Sequence, residues 1–192
     1  MEDRGEDVMD KLNKVAVIYK SKYGATKTYA EWLAEALDAP LFEASEVNLA
    51  QLMSYELVVY GGGLYAGGIN GVKLVAKNPC KALVVFTVGL ADPSVTDYSE
   101  FYNRHFTPEL LDQIKIVHLR GNMNYSKLGL IDRGLMALLK NQTAKKDEAE
   151  MDSDDKLLLE TYGRVVDFMD KKTIDPIVAF VHQHLSAASS HA

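Results

Sequence analysis

The sequence predicts an α/β fold, a doubly wound five-stranded parallel sheet with helices on both faces. Two observations carry this. Short apolar runs bounded by turn residues alternate along the chain with segments whose apolar residues recur at helical spacing, the pattern of strands joined by crossover helices. Three of the runs end in glycine- or hydroxyl-rich stretches, at 21–26, 61–68 and 89–94. An open parallel sheet gathers its ligands beyond such strand ends, near a switch in strand order.

The first strand covers Lys14 to Tyr19, with Val15, Val17 and Ile18 as its apolar residues. A helix follows from about Thr26, with Ala30, Leu33, Ala34 and Leu37 at helical spacing. Pro40 to Ala44 alternates like a short second strand, and Ala50-Gln51-Leu52 begins a connecting turn. Leu57 to Tyr60 is a buried third strand that ends at Gly61-Gly62-Gly63, and Gly71 to Lys77 forms a short helix. Ala82 to Val88 is the fourth strand. Ser94 serves as N-cap of a helix through Tyr102. Ile114 to Leu119 is the fifth strand. The alternation then breaks, with an amphipathic helix over Leu128 to Leu139 and a charged mobile loop over Lys145 to Glu150. Leu157 to Met169 reads as the last sheet-packing helix, and Pro176 sets off a terminal helix over Ile177 to Leu185. The organisation expected is a flexible leader over 1–13, a single domain over 14–186 with an insertion at about 122–152, and a flexible tail over 187–192.

Composition narrows the function classes. At 192 residues the chain can bury one sizeable core. No apolar run is long enough to span a bilayer, and the acidic stretch Met1 to Asp7 lacks the apolar region of a secretory signal. The single cysteine, Cys80, fits a reducing cytoplasm, and its place at the start of an apolar strand suits a packed, inert thiol. A net charge of −6 argues against nonspecific nucleic-acid binding. His182 and His184 lack a partnering ligand cluster, and His105 and His118 are isolated. No Ser-His-Asp order, paired carboxylates or Cys-His pair stands out, so a cofactor would have to carry the chemistry.

The 21–26 stretch is the strongest functional signal. A strand that feeds a helix through Ser21, Gly24, Thr26 and Thr28 makes an anion site. The free N–H groups of the first helical turn and the helix dipole favour negative charge, and the hydroxyls add donors. The loop lacks the G-x-x-x-x-G-K-[ST] spacing of triphosphate loops and the G-x-G-x-x-G of dinucleotide loops. Gly61 to Ala66 satisfies a loose G-x-G-x-x-A, but it follows the third strand, and the fourth ends without the ribose-binding acid.

Val17, Ile18, Tyr19, Ser21, Gly24, Thr26, Ala30 and Leu33 fill every specified position of a pattern that resembles the flavodoxin signature. The resemblance covers about 14–170 and implies a flavodoxin-like fold that binds FMN. Its phosphate would sit on Ser21, Lys22, Tyr23, Gly24, Ala25 and Thr26. Its ring would lie between two further loops, Gly61, Gly62, Gly63, Leu64, Tyr65, Ala66 and Gly67 on one side, and Gly89, Leu90, Ala91 and Asp92 on the other. Tyr65 is either a stacking residue or an ordinary loop tyrosine. Asp92 either contacts the cofactor or caps the turn before Pro93.

Gly121 to Tyr125, followed by Asp132-Arg133, is similar to a stretch of the quinone-dependent protoporphyrinogen dehydrogenases, which also carry a basic residue at the position of Lys22. The chain departs from them where Tyr65-Ala66 replaces an Arg-Tyr pair. Tyr125, Asp132 and Arg133 line a substrate or partner face, or Asp132 and Arg133 form a solvated pair. The resemblance implies an electron shuttle that meets a redox partner protein. The alternatives are an FMN-dependent oxidoreductase acting on a quinone or porphyrin, and a flavin-free binding module.

Overall fold

The computed structural model describes residues 14–189, so the expected leader over 1–13 lies outside the described residues. The chain runs β1 (Val15–Lys20), α1 (Ala25–Leu37), β2 (Leu41–Glu43), α2 (Leu49–Ser54), β3 (Leu57–Tyr65), β4 (Gly68–Ile69), α3 (Lys73–Ala76), β5 (Leu83–Gly89), α4 (Ser99–Asn103), α5 (Pro108–Leu111), β6 (Lys115–Arg120), β7 (Asn122–Asn124), α6 (Leu130–Thr143), α7 (Ser153–Thr161), β8 (Val165–Asp167) and α8 (Asp175–Ser189). Five strands form a parallel sheet in the order β2-β1-β3-β5-β6, with β4 added antiparallel to β3. The fold class and all five strands stand as the sequence predicts.

The strands read as continuous apolar runs because both faces are covered. Val15, Val17, Leu57, Val59, Val84 and Phe86 face Tyr29, Ala30 and Leu33 of α1 and Ile177 and Val181 of α8. The alternate residues Ala16, Ile18, Val58, Tyr60, Leu83 and Val85 face Leu52, Val72, Val75 and Phe106 on the other side.

Four elements differ from the sequence reading. The glycines after Tyr60 do not form a loop. β3 continues, with Gly61, Gly62 and Gly63 paired to Phe86, Thr87 and Val88. Close packing selects glycine here, since a Cβ on Gly61 would strike the Phe86 ring and one on Gly62 would strike Ile69. The turn comes at Ala66 and Gly67, both at positive φ (48° and 76°), as a tight hairpin into β4 requires. Around 94–102, Asp92 and Asp97 each accept the N–H two residues on, and these turns confine the helix to Ser99–Asn103. The turn expected at 50–52 is a helix, α2, started by a capping box between Asn48 and Gln51.

The fourth difference is the largest. The helix expected over 157–169 stops at Thr161, because Gly163 at φ +78° turns the chain and β-branched Val165 and Val166 enter a strand. β8 pairs antiparallel with β7, Asn122 against Asp167 and Asn124 against Val165. The excursion from the sheet therefore spans 122–167, further than the expected 122–152. The last sheet-packing helix is α8, which begins at Asp175-Pro176 and continues to Ser189, into the tail expected from 187.

Candidate functional site

The chain leaves β1, turns at Gly24 with φ +100°, and enters α1 at Ala25. The Gly24 N–H donates to Ser21 Oγ at 3.1 Å, which fixes the turn and leaves the Ser21 hydroxyl proton available. The first acceptor used by the helix start is Gly24 O, taken by the Thr28 N–H. Among the described residues, the N–H groups of Ala25, Thr26 and Lys27 and the hydroxyl of Thr26 meet no acceptor. Thr26 is 3% exposed and borders the cavity at this loop, and the free donors of a helix start are met by side chains, water or a ligand. Gly63 stands opposite, where a Cβ would come within 3.1 Å of Thr26 Oγ1. This cradle fits a phosphate-sized anion on a helix of 13 residues, whose dipole points the right way.

A cavity of about 120 Å³ covers the cradle, lined by Ser21, Lys22, Tyr23, Ala25, Thr26, Gly63, Leu64, Tyr65, Gly89 and Leu90 among others. Ten of the residues predicted for the site thus share one cavity. Asn70, Gly121, Asn122 and Met123 also line it, and sequence reasoning did not assign them to the cofactor. Gly121 follows the fifth strand, so the strand-end rule that found the other three loops was the available signal. Gly61 and Gly62 lie buried inside β3 instead. Gly24 shapes the loop without lining the cavity, and its N–H is taken. Ala66 and Gly67 open onto a neighbouring cavity of about 490 Å³. That cavity is apolar, walled by Leu64, Leu128, Leu135, Leu138 and Leu139, and it shares Tyr23, Leu64, Tyr65 and Met123 with the cradle's cavity.

Asp132 closes the space between the two loops. Its carboxylate accepts from Lys22 Nζ at 2.7 and 3.0 Å, from the Tyr65 hydroxyl at 2.7 Å, and from the Tyr23 hydroxyl. Lys22 Nζ also lies 3.6 Å from the centroid of the Tyr65 ring. Hydrogen bonding to Asp132, then to Tyr65, raises the Lys22 ammonium above its ordinary pKa. Tyr125, Asp132 and Arg133, expected to line a substrate or partner face, differ in exposure. Tyr125 is buried edge-on against Tyr162, Asp132 is 6% exposed and lines the apolar cavity, and Arg133 is exposed. Asp132 and Arg133 do not pair, since Arg133 donates to Ser126 O at 2.6 Å. Successive residues on a helix point in different directions, so one faces the loops and the other faces out.

Behind the third loop stands a buried polar network. His118 Nδ1 lies 2.8 Å from Thr87 Oγ1, and Nε2 lies 3.2 Å from the Tyr98 hydroxyl, whose ring stacks on the imidazole. Burial pushes His118 down to about 4, against a weaker opposing hydrogen bond to the Ala91 backbone, so the ring is neutral near pH 7. Gly89 is close-packed here, as a Cβ would meet His118 Cε1 at 3.1 Å. Arg120 Nε donates to Leu90 O at 3.1 Å, and its guanidinium covers the Phe168 ring at 3.9 Å. Asp92 caps the turn, accepting from the Ser94 hydroxyl and N–H, which hold its carboxyl below the usual range. Burial pushes the Cys80 thiol up to about 11, which suits the inert role expected of it. Among the described residues no group of three or more His, Cys, Asp or Glu side chains is placed to hold a metal ion.

The family described as flavodoxin domain matches residues 16–150. No curated protein matches the chain. Similar solved structures include oxidised flavodoxin 2 from Bacillus cereus, at 18% identity over 56% of this chain and 82% of that one, with a TM-score of 0.41. A flavoprotein in complex with FMN from Lactobacillus acidophilus has 17% identity over 56% and 92%, with a TM-score of 0.38. The Trp repressor binding protein from Bacillus subtilis has 17% identity over 58% and 85%, with a TM-score of 0.41.

Proposed function

The chain belongs to the flavodoxin domain family, and on that premise we propose that it binds FMN at the strand ends and uses it to transfer electrons to and from a redox partner protein. The observation that carries this reading is the set of acceptor-free donors at the start of α1, the N–H groups of Ala25, Thr26 and Lys27 with the Thr26 hydroxyl. These would hold the FMN phosphate, joined by the Ser21 hydroxyl. Gly63 to Tyr65 and Gly89-Leu90 would bring backbone groups to the flavin ring, where they set its potential. The bound flavin supplies the redox chemistry. The chain's own residues bind it, orient it and shield it from water. Asp132 holds the Tyr23 and Tyr65 hydroxyls and the Lys22 ammonium together over that space.

A second reading rests on the apolar cavity of about 490 Å³ beside the cradle. Its size and lining suit an apolar small molecule, which makes an FMN-dependent oxidoreductase of the quinone or porphyrin class the alternative. A cytoplasmic setting is in keeping with a single cysteine. Among the described residues no helix is long and apolar enough to cross a membrane.

FMN titrated into the cofactor-stripped protein should quench flavin fluorescence saturably. Thr26→Ala should weaken binding by ~1–3 kcal/mol, the range for a hydrogen bond to a charged group. Absence of saturable quenching overturns the flavin reading in favour of a binding module without cofactor. Unchanged affinity in Thr26→Ala removes the phosphate from this loop. If the loaded protein turns over a soluble quinone catalytically, the second reading replaces the first.

A further inference from the structure

We propose that the cavity between the β3–β4 hairpin, α3 and the α4–α5 turn is a second binding site, and that it takes a soluble nucleoside phosphate. It lies away from the flavin cradle and rests on none of the residues that form it. Its volume is about 580 Å³, within the range of small-molecule sites.

The chemistry of its walls is one-sided. Buried Ile69, Val72 and Phe106 form an apolar floor. Lys73, Lys77 and Arg104 stand around it, all exposed, and no aspartate or glutamate lines the cavity. None of the three makes an ion pair among the described residues, and Arg104 meets only the edge of reach of the Phe101 ring, at 5.8 Å. In a chain of net charge −6, three unneutralised cations around one concavity raise its potential and concentrate anions there. Arg and Lys together are the usual means of holding a phosphate.

His105 lines the cavity as well, with its Nε2 sealed from solvent and out of a ligand's reach. An inorganic anion would use the cations but not the apolar floor. A nucleoside monophosphate uses both, with phosphate at Lys73, Lys77 and Arg104, and the base or sugar over Ile69, Val72 and Phe106.

The site is also placed to be felt at the strand ends. Ile69 and Gly71 line this cavity, while Asn70 between them lines the cradle's cavity. Ile69 pairs with Leu64, which lines the cradle's cavity too. An occupant here would press on one side of a hairpin whose other side borders the proposed flavin.

Isothermal titration of adenosine monophosphate into the full chain at low salt tests the proposal. The expected result is saturable binding at a single site, weakened about tenfold or more by Lys77→Glu and by Arg104→Glu, the loss of one charge-assisted hydrogen bond. Both side chains are exposed, and an unchanged circular dichroism spectrum will verify that the variants keep their fold. Inorganic phosphate should bind about tenfold more weakly than the nucleotide. FMN affinity should be the same in wild type and both variants, so a failure of the flavin reading leaves this result standing. The absence of saturable heat overturns the proposal, as does equal binding in wild type and both variants. Loss of nucleotide binding in Thr26→Ala, with Lys77→Glu and Arg104→Glu unaffected, overturns it too, by placing the nucleotide on the β1–α1 loop. Equal affinity for inorganic phosphate overturns the nucleoside part.

Discussion

Leu33 on α1 and Asp132 on α6 are both almost wholly buried, at 0% and 6% exposure, yet they hold opposite kinds of region together. Around Leu33 the sheet body presents apolar strands to apolar helices on both faces. The 122–167 excursion is built the other way round. Leu130 and Ile131 of α6 point outward, at 86 and 79% exposure, while the carboxylate of Asp132 points inward to two tyrosine hydroxyls and an ammonium. The body is cohesive because apolar area leaves water at many contacts at once. The excursion meets the body through the Asp132 clasp and a Thr96–Asp154 hydrogen bond, while the short β7–β8 pairing only joins its own two ends, so few polar interactions stand between its docked and released states.

The largest effect should come from the body. Leu33→Ala should lower the free energy of global unfolding by ~2–5 kcal/mol, the range for a buried leucine, read from the urea midpoint at unchanged slope. A loss well under that range would mean that the α1–sheet contact can collapse around the gap, and the contrast with the excursion would shrink.

His118 is a polar group inside the body, and it ties that region to pH. Its folded pKa of about 4 lies below the ordinary 6.5. The unfolded chain therefore takes up the proton first as pH falls. Stability from the neutral ring is present in full above 6.5 and is lost between 6.5 and about 4, by roughly 3 kcal/mol at the bottom of that window. The depressed carboxylates of Asp92 and Glu43, ordinarily 3.8 and 4.5, lose their contribution only at the acid end and below. Unfolding measured from pH 7 to pH 5 isolates the histidine. His118→Gln should flatten the slope over that interval, and a slope equal to wild type would assign it to other groups.

How far each region could be read from sequence follows from the same contrast. Val15 to Ile18, Leu57 to Tyr60 and Leu83 to Val88 announce buried strands because both faces are apolar, and the strand ends then locate the cradle. The Gly61–Gly63 run misleads. Glycine signals a turn when only one strand is considered, and here it answers to the Phe86 ring and Ile69 on neighbouring elements. Residues 157–169 mislead for a related reason. Leu158, Tyr162, Val165, Val166 and Met169 keep helical spacing, but only the pairing with 122–124 reveals that Val165 and Val166 belong to a strand. Asp132 was visible as part of a motif. Its bonds to Lys22, Tyr23 and Tyr65 bridge from 67 to 110 residues of sequence, a distance over which no local pattern operates.

The smallest expected change in global stability, and the one most informative about the clasp, comes from Asp132→Asn. Asparagine keeps the volume and can accept from one tyrosine, but it cannot neutralise the Lys22 ammonium. The loss should be ~1–3 kcal/mol, as for a charged hydrogen-bond partner, and it should fall on the excursion. Amide exchange across 122–167 should accelerate by about 5- to 150-fold, while amides of β1, β3 and β5 keep wild-type protection. The global unfolding transition should hardly move. If protection instead falls by the same factor in β3 as in α6, the excursion and the sheet unfold as one unit. The clasp would then be part of the body's stability. If nothing changes in either region, other contacts such as the Thr96–Asp154 hydrogen bond hold the excursion in place, and Asp132 is free to serve whatever binds between Tyr23 and Tyr65.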